Sequence, residues 1–237
     1  MKMTEDIPPE GTIRDWLDMR AEAGGVAVVF PEAGTELSWH ELREGAIGFA
    51  RALTSRGVAR GESVAVMAPN SQEALCAFYG AVYGGFRAVM INLAAGRDAI
   101  AYALEHSEAR FAYVHPDCAA IFDVAAAGPG LEALPLEATG DADLHAVSPE
   151  DHALLMYPSG TQGRPKGVVH SHASLLAGGW TTAVAHRLAR DDRGFCVLPV
   201  YHINTLPYHT VYSDKVGNAP IGIWSTSSPI DMVYLKD

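Results

Sequence analysis

The residues best suited to chemistry form one run near the middle of the chain, from Tyr157 to His172. Its glycines allow backbone conformations closed to other residues and let main-chain N–H groups approach a ligand closely. Hydroxyl and cationic side chains stand between the glycines, and Pro165 fixes the backbone just before Lys166. This combination is typical of a cradle for a polyphosphate. The residues that we predict to bind phosphate are Ser159, Gly160, Thr161, Gln162, Gly163, Arg164, Pro165 and Lys166.

Two common nucleotide-binding motifs do not describe this run. The P-loop pattern G-x-x-x-x-G-K-[ST] requires a hydroxyl residue directly after the lysine, where it would hold a metal ion. Here Gly167 follows Lys166, and Pro165 precedes it. The spacing of the glycines is not that of a dinucleotide-binding fingerprint either. The run therefore predicts a phosphate site of a different kind.

A histidine pair, His170 and His172, lies at the end of the run. Alternate residues of a strand share a face, so a metal site is one interpretation of this spacing. A zinc site needs at least three protein ligands, and no cysteine, aspartate or glutamate lies nearby in the sequence. We therefore predict no metal site here.

The run resembles the signature loop of the adenylate-forming superfamily, [YF]-T-S-G-[ST]-T-G-x-P-K-G, at nine of the eleven positions from Tyr157 to Gly167. The departures are Pro158 and Gln162, where threonine is usual. Further stretches resemble the same superfamily, which includes acyl-CoA synthetases, and together the likeness covers about residues 10–206. They are Gly57–Asn70, Ala81–Asn92 and, matching L-P-[LM]-[FY]-H, Leu198–His202.

The resemblance implies ATP-dependent adenylation of a carboxylic acid, followed by thioester formation with CoA. ATP and Mg²⁺ would serve the first step, and CoA would be the co-substrate of the second. The resemblance also places His202 at the acyl and nucleotide pocket, although a partly buried structural histidine is the alternative. It identifies no catalytic residue in this sequence, and it does not reveal which acid is activated.

The order of predicted elements indicates an α/β fold with a mostly parallel sheet flanked by helices. We predict helices over Ile13–Ala23, Ser71–Tyr83, Arg97–His106 and His172–Arg190, with a further helix that Ser38 and Glu41 begin as a capping box. The predicted strands are Val26–Phe30, Glu36–Trp39, Ser63–Met67, Ala88–Asn92, Arg110–Val114, Ala153–Tyr157 and Phe195–Val200. This matches the N-terminal part of the large domain of an adenylate-forming enzyme.

Composition excludes several classes of protein. The net charge is −11, and nucleic-acid binding needs clustered lysine and arginine. The three cysteines are widely separated, which favours reduced thiols in a cytoplasmic protein. We expect no membrane span, because no apolar stretch of about 18 residues exists.

The likeness fades after Leu206, so we divide the chain into residues 1–206 and a divergent tail, 207–237. The superfamily motifs Y-G-x-T-E and T-G-D, which lie further along the chain than the loop, are not found after the loop in this sequence, and neither is the small C-terminal domain. We therefore expect an incomplete sheet, inactivity of the chain alone, and either self-association through an uncovered edge or a tail folded over that edge. The alternative to a ligase is a non-catalytic nucleotide-binding remnant or interaction module.

Overall fold

The structure, a computed structural model, describes residues 8–126, 130–158, 165–188, 193–196, 198–203, 221–223 and 233–235. Two sheets and six α-helices lie within these residues. The helices are α1 (Ile13–Ala23), α2 (Trp39–Ser55), α3 (Gln72–Tyr83), α4 (Arg97–His106), α5 (Ala119–Ala125) and α6 (His172–Ala185). The predicted α/β class is therefore confirmed.

The larger sheet has six strands and carries the start of the predicted phosphate loop. All neighbouring strands in it are parallel except the last two, which are antiparallel. In spatial order they are β6 (Glu132–Ala133), β5 (Phe111–Val114), β3 (Ser63–Met67), β4 (Arg87–Met90), β7 (His152–Met156) and β8 (Val168–Ser171). The predicted loop therefore joins two antiparallel neighbours, β7 and β8.

Both faces of this sheet are buried. Val64 and Val66 of β3 pack into one apolar cluster with α2 and α3, while Ala65 and Met67 pack into a second cluster with α4 and α5. A continuous apolar run is what a strand buried on both sides requires, and this explains why these short segments could be recognised as parallel strands.

The smaller sheet combines strands from distant parts of the chain. Its strands, in spatial order, are β11 (Val233–Leu235), β9 (Arg193–Cys196), β10 (Ile221–Ile223), β1 (Val26–Phe30) and β2 (Thr35–Ser38). The hairpin of β1 and β2 is confirmed. The prediction that strand β9 would run to Val200 was wrong, because a turn contains Val200.

Part of the divergent tail, residues 207–237, forms strands of the smaller sheet. The short apolar runs Ile221–Ile223 and Val233–Leu235 both pair with β9, the first parallel and the second antiparallel. Of the two outcomes that we expected for the edge of β9, the structure shows a tail that pairs along this strand within the chain. Self-association of the chain stays a prediction.

Hydrogen bonds between nearby residues determine where α2 begins and where α6 ends. The Ser38 side chain accepts from the Glu41 N–H, and the Glu41 side chain accepts in return from the Ser38 backbone, so the predicted capping box is confirmed. Helix α6 ends earlier than predicted, at Ala185. Arg187 adopts a left-handed conformation, and the Leu188 N–H donates to the Ala183 carbonyl, which closes the helix.

Candidate functional site

A cavity of about 360 Å³ lies where the predicted phosphate loop leaves the larger sheet. Pro158, two residues after β7, lines it, and so does Pro165, which precedes β8. The two described residues that flank the segment 159–164 are therefore both at this cavity. The full lining comprises Ile91, Asn92, Ala94, Ala95, Ala99, Ile100, Ala103, Tyr157, Pro158, Pro165 and His202.

A second cavity, of about 330 Å³, adjoins the first. Five of its lining residues do not line the first cavity: Met156, Val168, His170, Tyr201 and Ile203. The residues common to both cavities are Asn92, Tyr157, Pro158 and His202. Both cavities lie beyond the carboxyl ends of the parallel strands β4 and β7, where open α/β sheets usually bind ligands.

The predicted site residues are only partly within the described structure. Ser159, Gly160, Thr161, Gln162, Gly163 and Arg164 lie outside the described residues, so their predicted roles stay predictions. Pro165 lines the first cavity, and Lys166 beside it is exposed. His202 lines both cavities. Burial lowers the pKa of His202 below its usual value, so its imidazole is neutral at pH 7.

Two side chains of α4 contact Tyr157, the first residue of the predicted phosphate loop. The Tyr157 hydroxyl lies 2.9 Å from Nδ1 of His106, and the two rings meet edge to face. The Tyr102 ring packs edge to face against Tyr157 as well. Burial raises the pKa of Tyr157 to about 12, so the phenol stays protonated. Sequence reasoning missed this contact because the two hydrogen-bonded residues are 51 positions apart.

Asn70 positions the segment that presents His202. Its Nδ2 donates to the Leu198 carbonyl at 3.0 Å, and its Oδ1 accepts from the Val200 N–H at 2.7 Å. The His202 N–H in turn donates to the Pro199 carbonyl. The cap of α3 is the neighbouring Ser71, whose side chain accepts from the Ala74 N–H, so the Asn70 side chain makes this longer connection instead.

Replacing Asn70 with aspartate should lower the free energy of unfolding by about 1–3 kcal/mol, because it removes a donor and sets a carboxylate oxygen against the Leu198 carbonyl. Urea unfolding measures the difference. Ser71→Asp is the matched control, since it adds the same charge one residue away and aspartate still caps a helix. Equal stability of the two variants would show that the contacts of Asn70 contribute nothing.

The two histidines of the pair lie in different surroundings. His172 is fully buried, and its Nδ1 accepts from the Ile13 N–H at 3.1 Å, which ties α6 to the start of α1. His170 instead lines the second cavity. The part of the chain that the structure describes contains no group of three or more residues able to hold a metal ion.

Residues 17–218 match the family of AMP-binding enzymes. The chain belongs to that family. It is 34% identical to the sulfoacetate–CoA ligase of Cupriavidus necator over 190 residues, which are 74% of this chain and 37% of the relative. It is 31% identical to the long-chain-fatty-acid–CoA ligase FadD13 of Mycobacterium tuberculosis over 195 residues, 76% of this chain and 38% of that one. This member of the family therefore spans about two fifths of the length of the relatives it matches.

The fold of this family member is also that of a solved domain. The inhibitor-bound N-terminal domain of FACL13 from Mycobacterium tuberculosis superposes with a TM-score of 0.79 at 27% identity. The match covers 92% of this chain and 58% of that domain. The predicted fold, the N-terminal part of an adenylate-forming enzyme, is thereby confirmed.

Among the described helices, none combines the length and the apolar character needed to cross a bilayer.

Proposed function

We propose that this chain forms the phosphate-binding and acid-binding part of an ATP-dependent acid–CoA ligase. In the complete reaction a carboxylate oxygen attacks the α-phosphorus of ATP, pyrophosphate leaves, and an acyl-adenylate forms. The CoA thiol then attacks the acyl carbon and AMP leaves. The similarity to acid–CoA ligases supports this reaction class. The fatty-acid ligase among these relatives supports a role in fatty-acid metabolism, and we propose a cytoplasmic location on the basis of the reduced thiols that the sequence favours.

The observation that carries the proposal is the placement of the loop ends. Pro158 and Pro165 line the cavity that His202 also lines. A polyphosphate held by the hydroxyl, amide and cationic groups between them would adjoin a cavity whose other described walls are mostly apolar. This is the arrangement that adenylation needs, since it brings the phosphate chain next to the organic part of the acid. Electrostatic stabilisation of the leaving pyrophosphate would come from Arg164 and Lys166.

The described cavity residues do not by themselves provide a magnesium site. Mg²⁺ prefers oxygen ligands, chiefly carboxylates and phosphates, and no aspartate or glutamate lines either cavity among the described residues. The ATP phosphates would supply ligands to the ion, and we derive no step through it. The work of the described residues is to position the substrates and exclude water.

Replacing Lys166 with alanine should weaken ATP binding about tenfold or more, because a charge-assisted hydrogen bond contributes about 1.5–3 kcal/mol. Calorimetric titration of the purified chain measures the dissociation constant. Arg51→Ala is the matched control, since Arg51 is an exposed cation on α2 that lines neither cavity. Equal affinities of wild type and Lys166→Ala would place the phosphate site elsewhere.

A further inference from the structure

Asn92 lies at the junction of the two cavities. It follows β4 by two residues and immediately precedes a short 3-10 helix, Leu93–Ala95. Its side chain is half-buried and lines both cavities, as do Tyr157 and His202. A group bound at this junction would therefore contact Asn92 whichever cavity holds the rest of the ligand.

The orientation of the Asn92 amide is fixed by its own backbone. Oδ1 accepts from the Ala94 N–H at 2.9 Å and so caps the short helix. The nitrogen Nδ2 must then point the other way, and within the described residues it donates to no protein acceptor. An amide carries two N–H donors, so both remain available to a ligand.

The surroundings indicate what Nδ2 would bind. The described lining of the first cavity carries no charged side chain and is mostly alanine, isoleucine and proline. His202 is neutral because burial lowers its pKa, and the Tyr157 hydroxyl already pairs with His106. A ligand that suits this space has an apolar body and an acceptor oxygen, which must be hydrogen-bonded once it leaves water.

We propose that Asn92 is a specificity-determining residue whose Nδ2 donates to an oxygen of the acid's carboxyl group, and that the acid has a compact, uncharged apolar body. The inference rests on the proposed function. An acid with a second charge would find no partner among the described residues of the first cavity. Because the Asn92 oxygen is held by Ala94, the donor is preorganised, and binding costs little side-chain entropy.

The test removes the nitrogen of the Asn92 amide, which is the proposed donor, and keeps an oxygen that can cap the short helix. Asn92→Asp keeps an oxygen to accept from the Ala94 N–H, and aspartate is as good a cap as asparagine, so the fold is retained. It replaces the donor with a negatively charged oxygen that repels a carboxyl oxygen. Asn92→Ser also keeps a capping oxygen but removes the donor without adding charge.

The probes are 5′-O-(N-benzoylsulfamoyl)adenosine, a stable mimic of an acyl-adenylate, and sulfamoyladenosine, which lacks the acyl group. We expect Asn92→Asp to lower the affinity for the benzoyl probe at least tenfold, and Asn92→Ser to lower it several-fold. The affinity of sulfamoyladenosine should change less than twofold in both, and the thermal midpoints should match wild type.

Two results would overturn the inference while the proposed function stands. One is unchanged affinity for the benzoyl probe in both variants, and the other is an equal loss for the two probes. If wild type binds neither probe and Lys166→Ala does not alter ATP affinity, the proposed function fails as well. The two failures are thus distinguishable in one set of titrations.

Discussion

Residues 1–237, purified as a separate polypeptide, are expected to bind ATP but to release no AMP when a carboxylic acid and CoA are supplied. A phosphate cradle can hold the leaving group, yet adenylation also needs adenine and ribose fixed so that the α-phosphorus faces the carboxylate. Positioning of this kind accounts for about 7–11 kcal/mol of a barrier. The Y-G-x-T-E and T-G-D motifs that fix adenine and ribose in the superfamily follow the phosphate loop, and neither occurs after the loop in this sequence.

The measurement is chromatographic detection of AMP after incubation with ATP, Mg²⁺, CoA and a panel of carboxylic acids. Lys166→Ala supplies the background. Acid-dependent AMP above that background would contradict the expectation, and it would mean that residues after Leu206 complete a working site. The same outcome would also remove the alternative of a non-catalytic nucleotide-binding remnant.

The fold should lose about 3 kcal/mol of stability between pH 6.5 and pH 4 through His172 alone. Burial lowers the pKa of this histidine from 6.5 to about 4, with smaller opposing effects from Asp151 and Asp15 and a reinforcing one from Arg14. The unfolded chain therefore binds the proton first as the pH falls, and the stability of the fold decreases. Protonation would also set an N–H at Nδ1 against the Ile13 N–H, which now donates to it.

Carboxylates titrate in the same range, so a matched variant isolates the histidine. His172→Asn keeps an acceptor near the Ile13 N–H but does not titrate. Urea unfolding at several pH values should show the stability of wild type relative to this variant falling by about 3 kcal/mol from pH 7 to pH 4. Proton NMR of the imidazole gives the pKa directly in wild type. A pKa near 6.5, or a stability difference independent of pH, would disprove the assignment.

Local features of the fold could be predicted from the sequence because their determinants are close together. Ser38 and Glu41 are three residues apart and cap α2 as expected. The strand Ser63–Met67 is apolar throughout, which its burial on both faces requires. The phosphate loop was recognisable for the same reason, since its glycines, hydroxyls and cations are consecutive.

What escaped prediction depends on contacts between distant residues. Asn70 reaches Leu198 across 128 positions, and nothing near either residue in the sequence indicates the other. The strands at Ile221–Ile223 and Val233–Leu235 are three residues long, so their pairing with β9 reflects the sheet more than local propensity. The unpaired N–H donors of the Asn92 amide could not be predicted either, because their role depends on the two cavities that this side chain lines.

We propose that ATP binds beside the cavity lined by Pro158, Pro165 and His202. The most direct test is a titration of ATP into the ¹⁵N-labelled chain, in which backbone amide chemical shifts are followed. We expect the largest shifts at Tyr157, Lys166 and Gly167, with smaller ones at His202 and none at the hairpin of β1 and β2. Shifts confined to other parts of the chain, or none at millimolar ATP, would contradict the claim.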